Sequence, residues 1–380
     1  MAPRKRGARQ PTAPRERGNF VSEWYGHRVY PLVSRDPASE QDQRGETCPF
    51  LSVATGEPRT CHKPTASRGI CTISTPGSGT RFDWLVCPYR ALEPRLLENA
   101  IRRLFGVADV VGALILPGIR LARPDAREEI SGALADGRRV FIFFNAKLGG
   151  ELSIPPTARS PEFSFDITVI EVENRNGAPH LGRFGVIEIQ TMDFHGSYRK
   201  VVENLKQGQR MFPDNFPDTL QENQRWLSED VEGPNIANVF KRTFYQMMFK
   251  FQLGQNERCA GCVLAIPSSV WASWQRHLGQ PEPRREADGT YSLFAERRRR
   301  PAHVPAWIYV FDIATEAERT PAPLRDTMLI ATDAPSMSHF ALEIAPAAAI
   351  DNIEAPEGMI ALLARRLRDL WPELARTLAG

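Results

Sequence analysis

The sequence predicts an α/β protein built around a mixed sheet, and three observations carry that expectation. Short, almost wholly apolar runs recur along the chain: "RRVFIFF" (138–144), "VLAIP" (263–267) and "WIYVFDI" (307–313). Such runs suit strands buried on both faces. Between them lie segments with apolar residues at helical spacing, such as "EPRLLENAIRRLF" (93–105), with Leu96, Leu97, Ile101 and Leu104 on one face. Finally, "EFSFDITVIEVE" (162–173) and "RFGVIEIQTMDF" (183–194) alternate in polarity and are joined by "NRNGAPHLG". That combination predicts an antiparallel hairpin.

Taken in chain order, the first element is a tail. Residues 1–18 carry six Arg/Lys and one Glu, a net +5, in a chain whose total is +3. With almost no apolar residues, this stretch is expected to be a disordered basic tail. The rest of the chain is close to neutral, so any nucleic-acid surface on it must be a local patch. No apolar run approaches membrane-spanning length, and the N-terminus has no apolar core of a secretory signal. The expectation is a cytoplasmic protein with no membrane partner.

Residues 19–100 hold Cys48, Cys61, Cys71 and Cys87 in turn-rich sequence: "TCPF", "TCHK", "GICTI" and "VCPYR". Clustered cysteines in a reducing compartment favour a metal over disulfides. Four thiolates complete a tetrahedral site for zinc or iron. Four unrelated buried cysteines are the plainer alternative. The second pair, Cys259 and Cys262 in "CAGC", leads into an apolar strand and reads as two small core residues rather than a redox motif.

The core is expected over 101–300. Helices are predicted over "GPNIANVFKRTFYQMMFKFQL" (233–253) and "SSVWASWQRHL" (268–278), and a surface loop or hairpin over the Pro-, Gly- and Arg-rich stretch that includes Arg297–Arg300. Residues 301–380 supply a strand and terminal helices that complete the core.

The chemistry-bearing residues gather on the hairpin. Glu188 and Gln190 share one face of their strand, because residues two apart point the same way. Asp166 is expected inside the partner strand, and Glu151, in "KLGGELSI", lies just upstream. Carboxylates that converge on a sheet repel one another unless a cation neutralises them, and oxygen donors suit Mg²⁺. A Mg²⁺ ion there could activate water against a phosphodiester. An acid followed by E-x-Q on the next strand matches the PD-(D/E)XK nuclease pattern; a solvated strand face is the alternative. The resemblance to that nuclease pattern implies Glu151, Asp166, Glu188 and Gln190 as the catalytic residues, with Asp166 and Glu188 in the place of the Mg²⁺ ligands. Lysine usually stands where Gln190 does, and a neutral amide can only orient water. Candidate DNA contacts are Arg183, Asp193, His195, Arg199, Lys241 and Arg242. Arg and Lys suit guanine edges and phosphates, and carboxylates suit cytosine.

Longer blocks widen the match. "NFVSEWYGHRVYP", "RFDWLVCPYRAL", "KLGGELSI", "SPEFSFDITVIEVE", "VIEIQTMDFHGSYRK" and "EGPNIANVFKRTFYQM" together resemble the rare-cutting type II restriction endonucleases of the NotI and EagI group. The resemblance implies a PD-(D/E)XK restriction-endonuclease-like core with an added N-terminal iron site. Cys48, Cys61, Cys71 and Cys87 would be its ligands, with zinc as the alternative ion. It implies Mg²⁺-dependent hydrolysis of double-stranded DNA by a homodimer at a GC-rich palindrome, GCGGCCGC or CGGCCG, leaving 5′ overhangs. A cognate methyltransferase would belong to the same restriction-modification system. Two other readings stand beside it: a non-enzymatic metal-containing DNA-binding regulator, and a structure-specific repair nuclease of the same fold.

Overall fold

A nine-stranded mixed sheet forms the centre of the computed structural model, which describes residues 18–77, 80–107, 112–314, 320–351 and 358–377. The N-terminal tail expected over residues 1–18 lies outside these residues except for Gly18. In spatial order the strands are Arg284–Arg285, Tyr291–Ser292, Leu324–Thr332, Ala306–Ile313, Cys259–Pro267, Ala178–Ile189, Ile167–Arg175, Val140–Phe144 and Leu114–Pro117. The three central strands, Ala306–Ile313, Cys259–Pro267 and Ala178–Ile189, run parallel, and antiparallel partners flank them. The protein is thus mixed α/β, as the sequence predicts.

Burial on both sides explains the apolar runs. All nine residues of Cys259–Pro267 are buried. Val263 and Ala265 pack with Leu97, Ile101 and Leu104 of the helix Pro94–Phe105, together with Ile187 and Ile189. Cys262, Leu264 and Ile266 face the other way, against Val239, Phe240, Met247 and Phe251 of the helix Ile236–Leu253. Alternate residues of one strand therefore feed two separate cores, one on each face of the sheet.

The hairpin forms as expected between Ile167–Arg175 and Ala178–Ile189. Its two turn residues, Asn176 and Gly177, both have positive φ (54° and 81°), the signature of the tight turn that suits strand twist. A second glycine explains "CAGC". Gly261 has φ +129°, where a Cβ would press on Leu104 and the carbonyls of Val304 and Pro305. Phe184 and Val186 pair with Cys259 and Cys262, so Gly261 provides the extra residue of a bulge. Cys259 and Cys262 are free, buried core residues.

The N-terminal region is a four-stranded antiparallel sheet in the order His27–Arg28, Phe20–Trp24, Ile70–Pro76, Arg81–Leu85. Its apolar face packs against Val201, Val202, Leu205, Phe216 and Leu220 from two helices far along the chain. The Arg-rich stretch expected as a loop or hairpin does pair, through Arg284–Arg285 and Tyr291–Ser292, and caps one edge of the large sheet. Of the C-terminal segment, Ala306–Ile313, Leu324–Thr332, Ala334 and Met337 enter the core. Beyond Ile344 the helices leave Leu362, Leu363, Leu370 and Trp371 exposed. Among the described residues no helix is long and apolar enough to cross a membrane.

One buried ion pair ties these parts together. Arg90 meets Glu23 through two bonds, Nε–Oε2 at 2.9 Å and Nη2–Oε1 at 3.1 Å, with both side chains fully buried. Thr72 also donates to Glu23, Arg90 donates to the Ala322 carbonyl, and the guanidinium lies 4.8 Å over the Phe50 ring. Burial on its own would push the Glu23 carboxyl up. The charges of Arg90 and Arg28 and the bonds from Arg90 and Thr72 outweigh it and hold the group below its ordinary value of 4.5. A carboxyl depressed in the fold stabilises above its unfolded pKa and loses that contribution as pH falls through its folded value. Arg90→Met, which strands a buried carboxylate, should cost roughly 3–5 kcal/mol in urea unfolding at pH 7, and Glu23→Gln in the same chain should recover much of that. The wild type should weaken on acidification below about pH 4.5. Equal stability of Arg90→Met and wild type would refute the role given to this pair.

Candidate active site

Asp166 sits in a break between two strands rather than inside one, which corrects the sequence expectation. Phe163–Phe165 pairs with Leu152–Ile154, whereas Ile167–Arg175 belongs to the large sheet. At the junction the Asp166 carbonyl accepts from Asn145 Nδ2 (2.8 Å), and its carboxylate Oδ2 accepts from the Ile189 backbone N–H (2.8 Å). The Asp166 N–H points back to Glu188 Oε1 at 3.3 Å. These bonds replace the sheet ladder where the strand leaves it, and they set the two carboxyl groups beside each other at the end of the hairpin.

The charge that answers them comes from elsewhere. Lys250, on the helix Ile236–Leu253, is only 4% exposed, and its Nζ donates to Glu188 Oε2. The ammonium also lies 5.6 Å from the centre of the Phe165 ring. Burial and the neighbouring Asp166 charge push the Glu188 carboxyl up to about 8, against the pull of Lys250. Asp166 is raised as well, first by burial, while the Ile189 N–H and Lys250 act in the opposite direction. Glu151 is exposed, just before the strand Leu152–Ile154. It is near enough for its charge to add to the rise at Asp166 without joining the pair.

Gln190 does not stand free to orient water. Its Oε1 accepts from Thr243 Oγ1, and its Nε2 donates to the Thr191 carbonyl. The positive group that sequence reasoning sought at Gln190 is supplied instead by Lys250, 62 residues beyond Glu188. The one signal for it in the sequence is a lysine among "MMFKFQL", on the buried side of an otherwise apolar helix.

Five of the six candidate DNA contacts fall on two stretches, 193–199 and 241–242, that meet through Asp193. Asp193 pairs with Arg242 at 3.0 Å, and its carbonyl accepts from Asn235 at the start of the same helix. Lys241 is the exposed neighbour of Arg242, and His195 is exposed on the short strand Phe194–Gly196. Arg199 is exposed where the helix Arg199–Met211 begins. Arg183 does not belong with this group. It lies five residues before Glu188, roughly 16 Å away along an extended strand, and lines a cavity beside the helix Pro94–Phe105.

The cysteines of the N-terminal region approach one another through backbone bonds. Cys48 N–H donates to the Arg59 carbonyl (2.7 Å) and Cys61 N–H to that of Glu46 (2.9 Å), which clamps those two loops together. Val86 N–H on the Cys71 carbonyl (3.0 Å) brings the Cys71 strand alongside Cys87. Each proline after a cysteine opens a helix: Pro49–Thr55 after Cys48 and the 3₁₀ turn Pro88–Ala91 after Cys87. A bond from the Cys71 thiol, the charge of Lys63 and the backbone N–H groups of Tyr89 and Arg90 lower the Cys87 thiol to about 6, and the same bond raises Cys71. Burial, with Cys87 and Cys61 nearby, pushes Cys48 up to about 12. All four are free thiols. Among the described residues, no three Cys, His, Asp or Glu side chains lie close enough together to hold an ion.

No protein-family model matches the chain, and no curated protein matches it.

A carboxyl raised in the fold lowers stability as pH climbs from its unfolded to its folded pKa, because the folded state holds the proton longer. In chelator-treated protein, Glu188→Gln should therefore be more stable than wild type at pH 8, on the order of 1–3 kcal/mol. The gap should close as pH falls toward 4.5, the ordinary glutamate value. Urea titrations at several pH values would measure it; a variant less stable than wild type at pH 8 would contradict this account of the site.

Proposed function

We propose that the protein is a Mg²⁺-dependent endonuclease of the PD-(D/E)XK class, and specifically a type II restriction endonuclease of the NotI and EagI kind. The observation that carries this reading is the convergence of Asp166, Glu188 and Lys250 at the end of the central hairpin. Two buried carboxyl groups with raised pKa values, beside a single ammonium, form an oxygen-rich site that gains from a cation. The donor set fits Mg²⁺, with Asp166 and Glu188 as the residues that would hold it. When bound, the ion would supply positive charge and a more acidic water.

The chain's own groups have separate tasks in this reading. Asp166 is aimed by the Ile189 N–H. Glu188 is aimed by the Asp166 N–H and Lys250. Lys250 keeps a positive charge where negative charge grows on a phosphate under attack. Hydrolysis adds water across the P–O bond, so one proton must leave the attacking water and one must reach the leaving oxygen. In this reading the proton of the attacking water passes to solvent, the leaving oxygen takes one from solvent, and the Lys250 ammonium, which can donate but not accept, hydrogen-bonds to the charge that develops between them. Gln190, held by Thr243 and Thr191, braces the end of the strand. The exposed His195, Arg199, Lys241 and Arg242 are the surface proposed to meet double-stranded DNA. Reading a palindrome calls for a twofold homodimer. GCGGCCGC or CGGCCG, cut to leave 5′ overhangs, is the proposed target, with a cognate methyltransferase protecting the host.

For the N-terminal thiols the fit is chemical. Cys48, Cys61 and Cys87 come from segments bonded to one another and to the strand that carries Cys71, and Cys87 is already biased toward the thiolate. Iron, or zinc in its place, would tie these segments together when bound.

Incubation with plasmids of known sequence and Mg²⁺ tests the function directly. Discrete fragments with a common GGCC centre are expected. Smears would mean a nuclease without sequence preference, and intact plasmid would favour a DNA-binding regulator. Within the nuclease reading, Asp166→Ala and Glu188→Ala should abolish cleavage while Ca²⁺-supported binding of the target persists. Lys250→Met should lower the single-turnover rate by about 10²-fold or more, and Gln190→Ala should cost far less. A Lys250→Met enzyme as fast as wild type would remove the lysine from the mechanism. Metal analysis of the purified protein should find about one iron or zinc per chain, and Cys71→Ser should lower both metal content and thermal stability. Metal-free protein with full activity would remove the metal from the N-terminal region.

A further inference from the structure

A cavity of about 670 Å³ opens beside the helix Pro94–Phe105, and arginines dominate its polar lining. Arg102 and Arg103 come from the last turn of the helix Pro94–Phe105, Arg183 from the middle of the strand Ala178–Ile189, and Arg300 from the loop before Ala306–Ile313. Trp307 and His303 also line it. Arginines in a last helical turn are ordinary, since they answer the helix dipole. Arg183 and Arg300 have no such reason to be there.

The lining is organised as well as charged. Trp307 is 2% exposed, and two guanidinium groups lie over its ring, Arg300 at 4.7 Å and Arg103 at 5.5 Å. Asp288 ties the same two arginines together from the rim, at 3.2 Å and 3.7 Å. Like charges are thus held side by side by an aromatic face and one carboxylate. Burial and the charges of Arg102 and Arg300 depress Arg103, which marks the positive field. Donors are left over: Arg102 Nε and Trp307 Nε1 are buried without hydrogen-bond partners. Among the described residues, Arg183 and Arg102 have no ion-pair partner. Buried donors without acceptors call for a ligand that brings acceptors.

From this geometry we infer that the cavity is a phosphate-binding site, distinct from the carboxylate site, which takes a polyphosphate-type anion through Arg183, Arg102, Arg103 and Arg300. The separation follows from the sheet. Arg183 lines the cavity beside Leu104, on the face covered by the helix Pro94–Phe105, whereas Glu188 meets Lys250 on the opposite face, five residues further along the strand. The volume falls in the range of small-molecule sites, about 300–1,000 Å³. With Trp307 already covered by guanidinium groups, recognition falls on the anionic group and not on a stacked ring. A free polyphosphate and the phosphates of a nucleic-acid strand share this chemistry.

Calorimetric titration of the full-length protein, at low salt and without divalent cations, distinguishes the two sources. The probes are sodium tripolyphosphate and a short DNA duplex without a GGCC centre. The proteins are wild type, Arg183→Gln, Arg300→Gln and, as a control on an exposed helix, Arg365→Gln. Saturable tripolyphosphate binding near one per chain, weakened about tenfold or more by Arg183→Gln and Arg300→Gln and unchanged in Arg365→Gln, supports the site with a free anion as ligand. The same pattern with the duplex alone supports it with strand phosphates. Arg183→Gln is the decisive variant if Arg300→Gln fails to fold, because Arg183 makes no described ion pair. Absence of saturable binding by either probe, or binding indifferent to Arg183, overturns the site. Repeating the titration in Glu188→Gln, where binding should persist, keeps this outcome separate from the nuclease reading.

Discussion

A strand covered on both faces can carry a charge only where another group meets it, and this constraint governs the molecule. The helix Pro94–Phe105 covers one face of the central strands and the helix Ile236–Leu253 the other. Between them the strand Cys259–Pro267 is apolar throughout, and Ala178–Ile189 is nearly so toward its end. Glu188 is the exception, and it is met from both sides, by Lys250 of the covering helix and by the Asp166 N–H at the break in the neighbouring strand. Leaving that carboxylate unpaired would cost more than the strand contact returns. The site is therefore a direct product of how the two layers close on the sheet.

The same strand separates charge along its length. Its C-terminal end brings Glu188 to Asp166 and Lys250 on one face, and its middle delivers Arg183 into an arginine-lined cavity on the other. A formal charge of +3 for the chain conceals both. What matters physically is the local balance: two carboxyl groups against one ammonium at one site, four guanidinium groups against one rim carboxylate at the other. In the readings proposed above, the first arrangement takes a cation and the second an anion.

The N-terminal region is not a loosely tethered addition. Its sheet packs on helices from the 199–222 stretch, and Arg90 joins Glu23 and Thr72 of that sheet to the Ala322 carbonyl. Cys71 lies in a strand of that sheet, and Cys48, Cys61 and Cys87 lie in segments bonded to the same framework.

Local chemistry alone determined the strands, the helices and the hairpin, because periodicity and turn residues act within a few positions. "NG" requires two residues of positive φ, and nine apolar residues in "CAGCVLAIP" require cover on both faces. The carboxylates were legible for the same reason, as polar residues breaking an apolar alternation. Lys250 was not, because nothing within its own helix says that its buried side faces Glu188; only the packing of that helix on the sheet does so. Nor could the sequence show that the strand breaks at Asp166, since the Asn145 side chain and the Ile189 N–H that satisfy the break come from other parts of the chain. Arg183 lies on the same strand as Glu188, five residues before it, but on the face under the other helix. Sequence distance measures proximity along the chain, and in a strand that rises about 3.3 Å per residue a few positions are enough to move a side chain into a different site.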